Sequence, residues 1–127
     1  MILIDTSIWI DFWKKRASTD ALVILLEDDQ VLVHELVLAE LAVGNLGPAH
    51  VRDEILSGLQ LLPRAPAAAL SEVLILIKTQ RLERRGLGAV DMHLLASARL
   101  AAAQLWTADK ALASAADECG LLFAPSR

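Results

Sequence analysis

The chain predicts an α/β domain with a mainly parallel sheet, on three observations. Short apolar runs of strand length alternate with helical patterns from end to end. The first of them, Met1-Ile2-Leu3-Ile4, shows no polar alternation, which is the habit of a strand covered on both faces. Two runs end on an acid, Asp5 and Asp109, immediately before a helix. In open parallel sheets the carboxyl ends of the strands line the crevice where ligands bind.

Taken in order, Met1–Ile4 is a strand, and Ile8, Trp9, Phe12 and Trp13 then lay an apolar stripe along a first helix. Ser18, Thr19 and Asp20 supply caps for a helix through Ala21–Leu26, closed by an acidic turn at Glu27-Asp28-Asp29. Val31–His34 is a second strand. Glu35 opens a helix that runs through Val43 and stops at Gly44-Asn45. After Gly47, Pro48 suits a first helical turn, and Val51, Ile55 and Leu59 mark the inner face of that helix. Gln60–Leu62 reads as a brief third strand. Pro66 is expected to start the longest helix, with Leu70, Val73, Leu74 and Ile77 at i, i+3, i+4 and i+7. Its basic end, Lys78, Arg81, Arg84 and Arg85, complements the helix dipole before Gly86. Ala89–Arg99 is a further helix, Ala103–Thr107 a strand, Lys110–Glu118 a helix, and Leu121–Phe123 a last strand before a polar tail.

At 127 residues the chain has room for one domain, 1–127, with a substantial core. The hydrophobic content of 55% and mean hydropathy of +0.47 are high. Even so, runs such as Val73–Ile77 are far too short to span a bilayer, so no membrane association is expected. Met1 leads straight into a core strand without a basic leader, and a cytoplasmic protein is the expectation. Cys119 is the single cysteine, so an intramolecular disulfide is excluded. The net charge of −4 argues against a general positive field for gripping nucleic acid, unless acids gathered in one pocket bind divalent cations and invert the local sign.

Four acids occupy unusual places. Asp5 and Asp109 end strands, while Glu40 and Asp91 stand in otherwise apolar helices with no basic residue within a turn of Glu40. Each also has an ordinary reading: helix N-caps for Asp5, Asp91 and Asp109, and a solvated helix face for Glu40. A divalent cation shared among the carboxylates would meet the cost of grouping them, and an oxygen-only donor set suits Mg²⁺ or Mn²⁺ better than zinc. A dinucleotide-binding loop is excluded, because Asp5-Thr6-Ser7-Ile8-Trp9 lacks the glycines. An aspartyl phosphotransferase would want a second acid where Ser7 stands.

Ile4-Asp5-Thr6-Ser7-Ile8-Trp9, Leu38–Gly44 around Glu40, Gly86–Ala98 around Asp91, and Leu105–Asp109 together resemble the four motifs of the PIN-domain ribonucleases, in particular VapC-type toxins of toxin–antitoxin pairs. The resemblance covers the whole chain. It implies a PIN-like three-layer α/β/α fold with a mainly parallel central sheet of about five strands. It further implies a type II toxin that cleaves RNA with Mg²⁺ or Mn²⁺ by a metal-activated water, forms a homodimer, and is inhibited by a small cognate antitoxin.

By that match Asp5, Glu40, Asp91 and Asp109 are the catalytic, metal-site acids, with Asp5 and Asp91 as direct ligands and Thr6, Ser7 and Thr107 as supporting hydroxyls. Lys14, Lys15, Arg16, Arg81, Arg84 and Arg85 are candidates for RNA contact. The dimer would use Leu38, Val43, Leu46 and the apolar side of the Pro66 helix, and an arginine-bearing antitoxin segment would cross a groove near Trp9, Trp13 and Leu41. The alternative is a non-enzymatic binding module whose acidic pocket receives a basic partner peptide.

Overall fold

The computed structural model describes residues 1–16 and 18–125; Ser126 and Arg127 of the expected polar tail lie outside the described residues. Three strands form a parallel sheet in the order β2-β1-β3: β1 (Ile2–Ile4) is central, flanked by β2 (Val31–Leu32) and β3 (Gln104–Trp106). Ile2 pairs with Val31 on one side and with Gln104 on the other, and Ile4 pairs with Trp106. All of β1 is buried, as its unbroken apolar run requires.

The other two expected strands are single bridges. Val33 pairs with Arg64, and Leu105 pairs with Leu122. Gln60–Leu62 is not a strand: it is the end of a helix and the turn beyond it, and the paired residue is Arg64. Pro63 and Pro66 flank this bridge, and a ring nitrogen without a hydrogen cannot extend a ladder. Leu121–Phe123 contributes one bridge at Leu122, with Gly120 at φ +71° before it and Pro125 after it.

Seven helices connect these strands among the described residues: α1 (Thr6–Lys14), α2 (Asp20–Glu27), α3 (Glu35–Val43), α4 (Ala49–Leu59), α5 (Leu70–Thr79), α6 (Ala89–Leu100) and α7 (Lys110–Glu118). The longest is α6, and α5 starts at Leu70 rather than Pro66. The basic run does not extend α5 either. Arg81 takes a left-handed φ of 53°, and the Leu82 N–H reaches back to the Ile77 carbonyl, which closes the helix in a Schellman turn. Burial of Leu82 at 2% exposure anchors that turn, so Lys78 alone stands in the last turn of α5.

The core lies where α6 crosses the sheet. Leu94, Leu95 and Ala98 of α6 are sealed from solvent with Leu3, Ile4 and Leu105 of the strands and Leu112 of α7. Burying each leucine contributes roughly 1.5–3 kcal/mol. The strand order has one further consequence. The chain leaves β1 for β2 on one side and later returns to β3 on the other, so the topology switches between β1 and β3. Their carboxyl ends, which carry Asp5 and Thr107, frame the place where open α/β sheets bind ligands.

Candidate active site

The Asp5 N–H donates to the Trp106 carbonyl at 3.0 Å, continuing the β1–β3 ladder one step past the strands and fixing Asp5 beside Thr107. Asp5 occupies the N-cap position of α1, but its side chain makes no capping bond. Its Oδ2 instead accepts from the Thr107 hydroxyl at 2.7 Å and the Ser7 hydroxyl at 2.8 Å. Each hydroxyl is itself held by backbone: Ser7 Oγ accepts from the Ala108 N–H and Thr107 Oγ1 from the Asp109 N–H, both at 3.0 Å. Asp5 is buried at 7% exposure, and its Oδ1 takes no hydrogen bond among the described residues.

Asp91 is the third residue of α6, and its Oδ2 accepts from the Gly88 N–H at 2.9 Å. This satisfies one free donor at the helix start. Burial pushes the Asp91 carboxyl above its ordinary value, against the lowering effect of the Gly88 bond, and the charges of Asp5 and Asp109 push it further the same way. Asp109 caps α7, with Oδ1 accepting from the Leu112 N–H at 2.9 Å. Both helical acids therefore do ordinary capping work with one oxygen, and neither Asp91 Oδ1 nor Asp109 Oδ2 takes a hydrogen bond among the described residues.

Glu40 stands on the exposed side of α3, not on a buried face, and its Oε1 accepts from Thr6 Oγ1 at 2.7 Å. The residue next to Asp5 in the chain thus ties Glu40 to the cluster. Of the four acids only Asp5 is buried; Asp109 is exposed as well. None of the three ion pairs among the described residues involves these acids. Nor do any three His, Cys, Asp or Glu side chains among them already stand around one point at ligating distance. Asp91 is within Coulombic reach of Asp5 and of Asp109, and each of the three has one oxygen committed to the protein. Such an oxygen-only donor set fits a hard divalent cation.

The basic candidates are more scattered. Lys14, Lys15 and Arg16 are exposed at the far end of α1, about 13 Å along its axis from Asp5 at 1.5 Å per residue. Arg81 and Arg84 are exposed in the loop after α5, whereas Arg85 is committed to Glu118 and Ser114 of α7. Of the residues expected beside a groove, Trp9 and Leu41 are each 1% exposed and belong to the core, whereas Trp13, stacked on Trp9 at 5.5 Å, is half-buried.

A buried pair was missed by sequence reasoning: His34, the N-cap of α3, and Ser97, in the middle of α6. The signal was present as a histidine inside an apolar strand run and a serine inside an apolar helix.

A family model for the PIN domain matches residues 2–118. Ribonuclease VapC32 of Mycobacterium tuberculosis, in strains CDC 1551 / Oshkosh and ATCC 25618 / H37Rv, is 46% identical over 125 residues, covering 98% of this chain and 97% of the relative. The crystal structure of FitAcB from Neisseria gonorrhoeae superposes with a TM-score of 0.63 at 18% identity, over 92% of this chain and 94% of that one, which shows the fold.

Proposed function

Because the chain belongs to the PIN-domain family, on its VapC-type branch, we propose that it is a divalent-metal-dependent endoribonuclease serving as the toxin of a toxin–antitoxin pair. The observation that carries this reading is that the Asp91 carboxyl feels the charges of both Asp5 and Asp109, the acids that follow β1 and β3, while Glu40 is tied to Thr6. The 46% identity with a protein named a ribonuclease supports the choice of RNA as substrate.

Asp5, Asp91 and Asp109 would hold Mg²⁺ or Mn²⁺, with Glu40 at the open side. When bound, the cation supplies Lewis-acid polarisation of the scissile phosphate and a more acidic water. The protein's own parts are then distinct. Ser7 and Thr107 commit both of their protons to Asp5 Oδ2, which restrains the carboxylate and leaves Oδ1 free of protein donors among the described residues. Asp91 and Asp109 are held by helix N-termini, so little freedom is lost on ligation. Glu40, exposed and anchored by one oxygen to Thr6, has its second oxygen available to accept a proton from water on the RNA side. Lys14, Lys15, Arg16, Arg81 and Arg84 would guide the phosphate backbone from outside the pocket.

The same acids would receive an arginine of a cognate antitoxin, whose planar guanidinium bridges two carboxylates. The chain acts in the cytoplasm as a homodimer on this reading, with the exposed apolar face of α5 at Leu70, Leu74 and Ile75 as the contact. Wild-type protein should cleave RNA only with Mg²⁺ or Mn²⁺, and Asp5→Asn should abolish cleavage while retaining the circular dichroism of the fold. Cleavage undiminished by chelator or by Asp5→Asn would overturn the reading.

A further inference from the structure

His34 is 3% exposed and Ser97 is fully buried, and the two side chains meet at 3.0 Å between His34 Nε2 and Ser97 Oγ. The other ring nitrogen, Nδ1, accepts from the Leu36 N–H at 3.0 Å. A backbone N–H is only a donor, so Nδ1 carries no proton and Nε2 carries the one proton of a neutral ring. The tautomer is therefore fixed by geometry. Among the described residues this is the sole side-chain hydrogen bond linking the start of α3 to α6. These helices carry Glu40, six residues after His34, and Asp91, six residues before Ser97.

We propose that neutral His34 is a positioning residue of the candidate site: one nitrogen caps α3, the other braces α6 through Ser97, and protonation undoes the cap and loosens the spacing of Glu40 and Asp91. This rests on the metal-site reading given above.

A second proton on Nδ1 would set N–H against N–H, so the Leu36 bond cannot survive. Burial holds the imidazole below its ordinary value of 6.5, and His93 on α6 acts in the same direction. Glu35 on α3 opposes them, with its charge partly engaged by Arg64. Since the folded value lies below the unfolded one, the unfolded chain takes up the proton first. The stabilisation is complete above about pH 6.5 and is lost as pH falls from there through the folded value.

Two measurements test the proposal. In metal-free wild type, ¹⁵N spectra of the ring should show Nδ1 unprotonated and Nε2 protonated at pH 7.5, and hydrogen exchange at the Leu36 amide should quicken as the ring titrates. The opposite tautomer, or Leu36 protection indifferent to that titration, overturns the inference without reference to any metal. Calorimetric titration with Mn²⁺ is then compared between wild type and His34→Asn. The asparagine side chain can cap α3 but is too short to reach Ser97 and does not titrate.

Between pH 7.5 and the pH at which the ¹⁵N spectra show the ring protonated, wild type should lose about fivefold more affinity than His34→Asn, the factor matching one lost cap. His34→Asn should bind more weakly at pH 7.5 for want of the brace. Coincident profiles overturn the positioning role. If wild type binds no Mn²⁺ at pH 7.5, the metal reading falls, while the tautomer and Leu36 exchange still decide the part played by His34.

Discussion

At the scale of single residues, the cluster is shaped by hydroxyls as much as by acids. Thr107→Val removes one of the two bonds to Asp5 Oδ2 and strands the Asp109 N–H that Thr107 now receives. A loss of about 1–3 kcal/mol in stability is expected by urea denaturation, with Mn²⁺ affinity reduced roughly 10-fold or more by calorimetry. Asp91 gives a prediction of opposite sign. Its raised value means that the folded state holds the proton longer than the unfolded chain, so its contribution favours folding at low pH and is lost as pH rises from about 3.8 through the folded value. Asp91→Asn should therefore stabilise the metal-free protein at pH 7, by less than about 1 kcal/mol because the group is partly solvated, and Mn²⁺ should no longer raise its melting temperature as in wild type. The places of the four acids after strands and in apolar helices were legible in the sequence. For Glu40 the sequence left a buried and a solvated face both open, since α3 is apolar on nearly every side and offers no polar stripe from which to tell its faces.

At the scale of elements, most helix starts and the three strands followed from periodicity, the Pro66 start and the Gln60–Leu62 strand excepted, but helix ends followed less well. Lys15, Asp29, Arg81 and Ala102 take left-handed backbone angles after α1, α2, α5 and α6, where a sequence reader looks for glycine; only Gly120 after α7 obeys the rule. In each case the next N–H reaches back five residues, as from Arg16 to Asp11, Gln30 to Leu25, Leu82 to Ile77, Ala103 to Ala98 and Leu121 to Ala116. After α5 and α6 the turn is imposed by the apolar residue that follows and must be buried, Leu82 and Ala103. This explains why the basic run after α5 looked helical. Ala102 carries the steric cost of its conformation without a compensating polar side chain. Ala102→Gly should raise stability by roughly 0.5–1 kcal/mol in urea, the relief of left-handed strain outweighing the added freedom of the unfolded chain.

At the scale of the whole molecule, the parallel α/β architecture was legible because each strand is a short, mostly apolar run and helices connect them. The sheet is narrower than expected because its outer segments are too hemmed in by proline to pair for more than one residue. No helix among the described residues is long and apolar enough to cross a membrane, so the high hydropathy is spent on the core and on exposed apolar residues. Leu70, Leu74 and Ile75 are 65%, 55% and 61% exposed along α5. If that face joins two copies, Leu74→Glu with Ile75→Glu should convert a dimer to a 13.7 kDa species by light scattering, with the melting temperature lowered at micromolar concentration.

The single bridges at Arg64 and Leu122 also decide how this protein can meet another. An unpaired strand is a template, and a partner or a misfolded copy can extend it by laying its own backbone alongside. Here the Val33 amide is taken by Pro63 and the Ala65 amide by Val33, while Leu105 exchanges bonds with Leu121 and Phe123. Beyond these pairs the chain presents Pro63 and Pro66 on one flank and Pro125 on the other, residues with no amide hydrogen to offer. Proline thus limits the length of backbone that either margin of the sheet offers for strand addition. Recognition then falls to helix faces and to the side chains around the acids, and a bound partner should add helix or coil, with no gain of β signal in the amide I band.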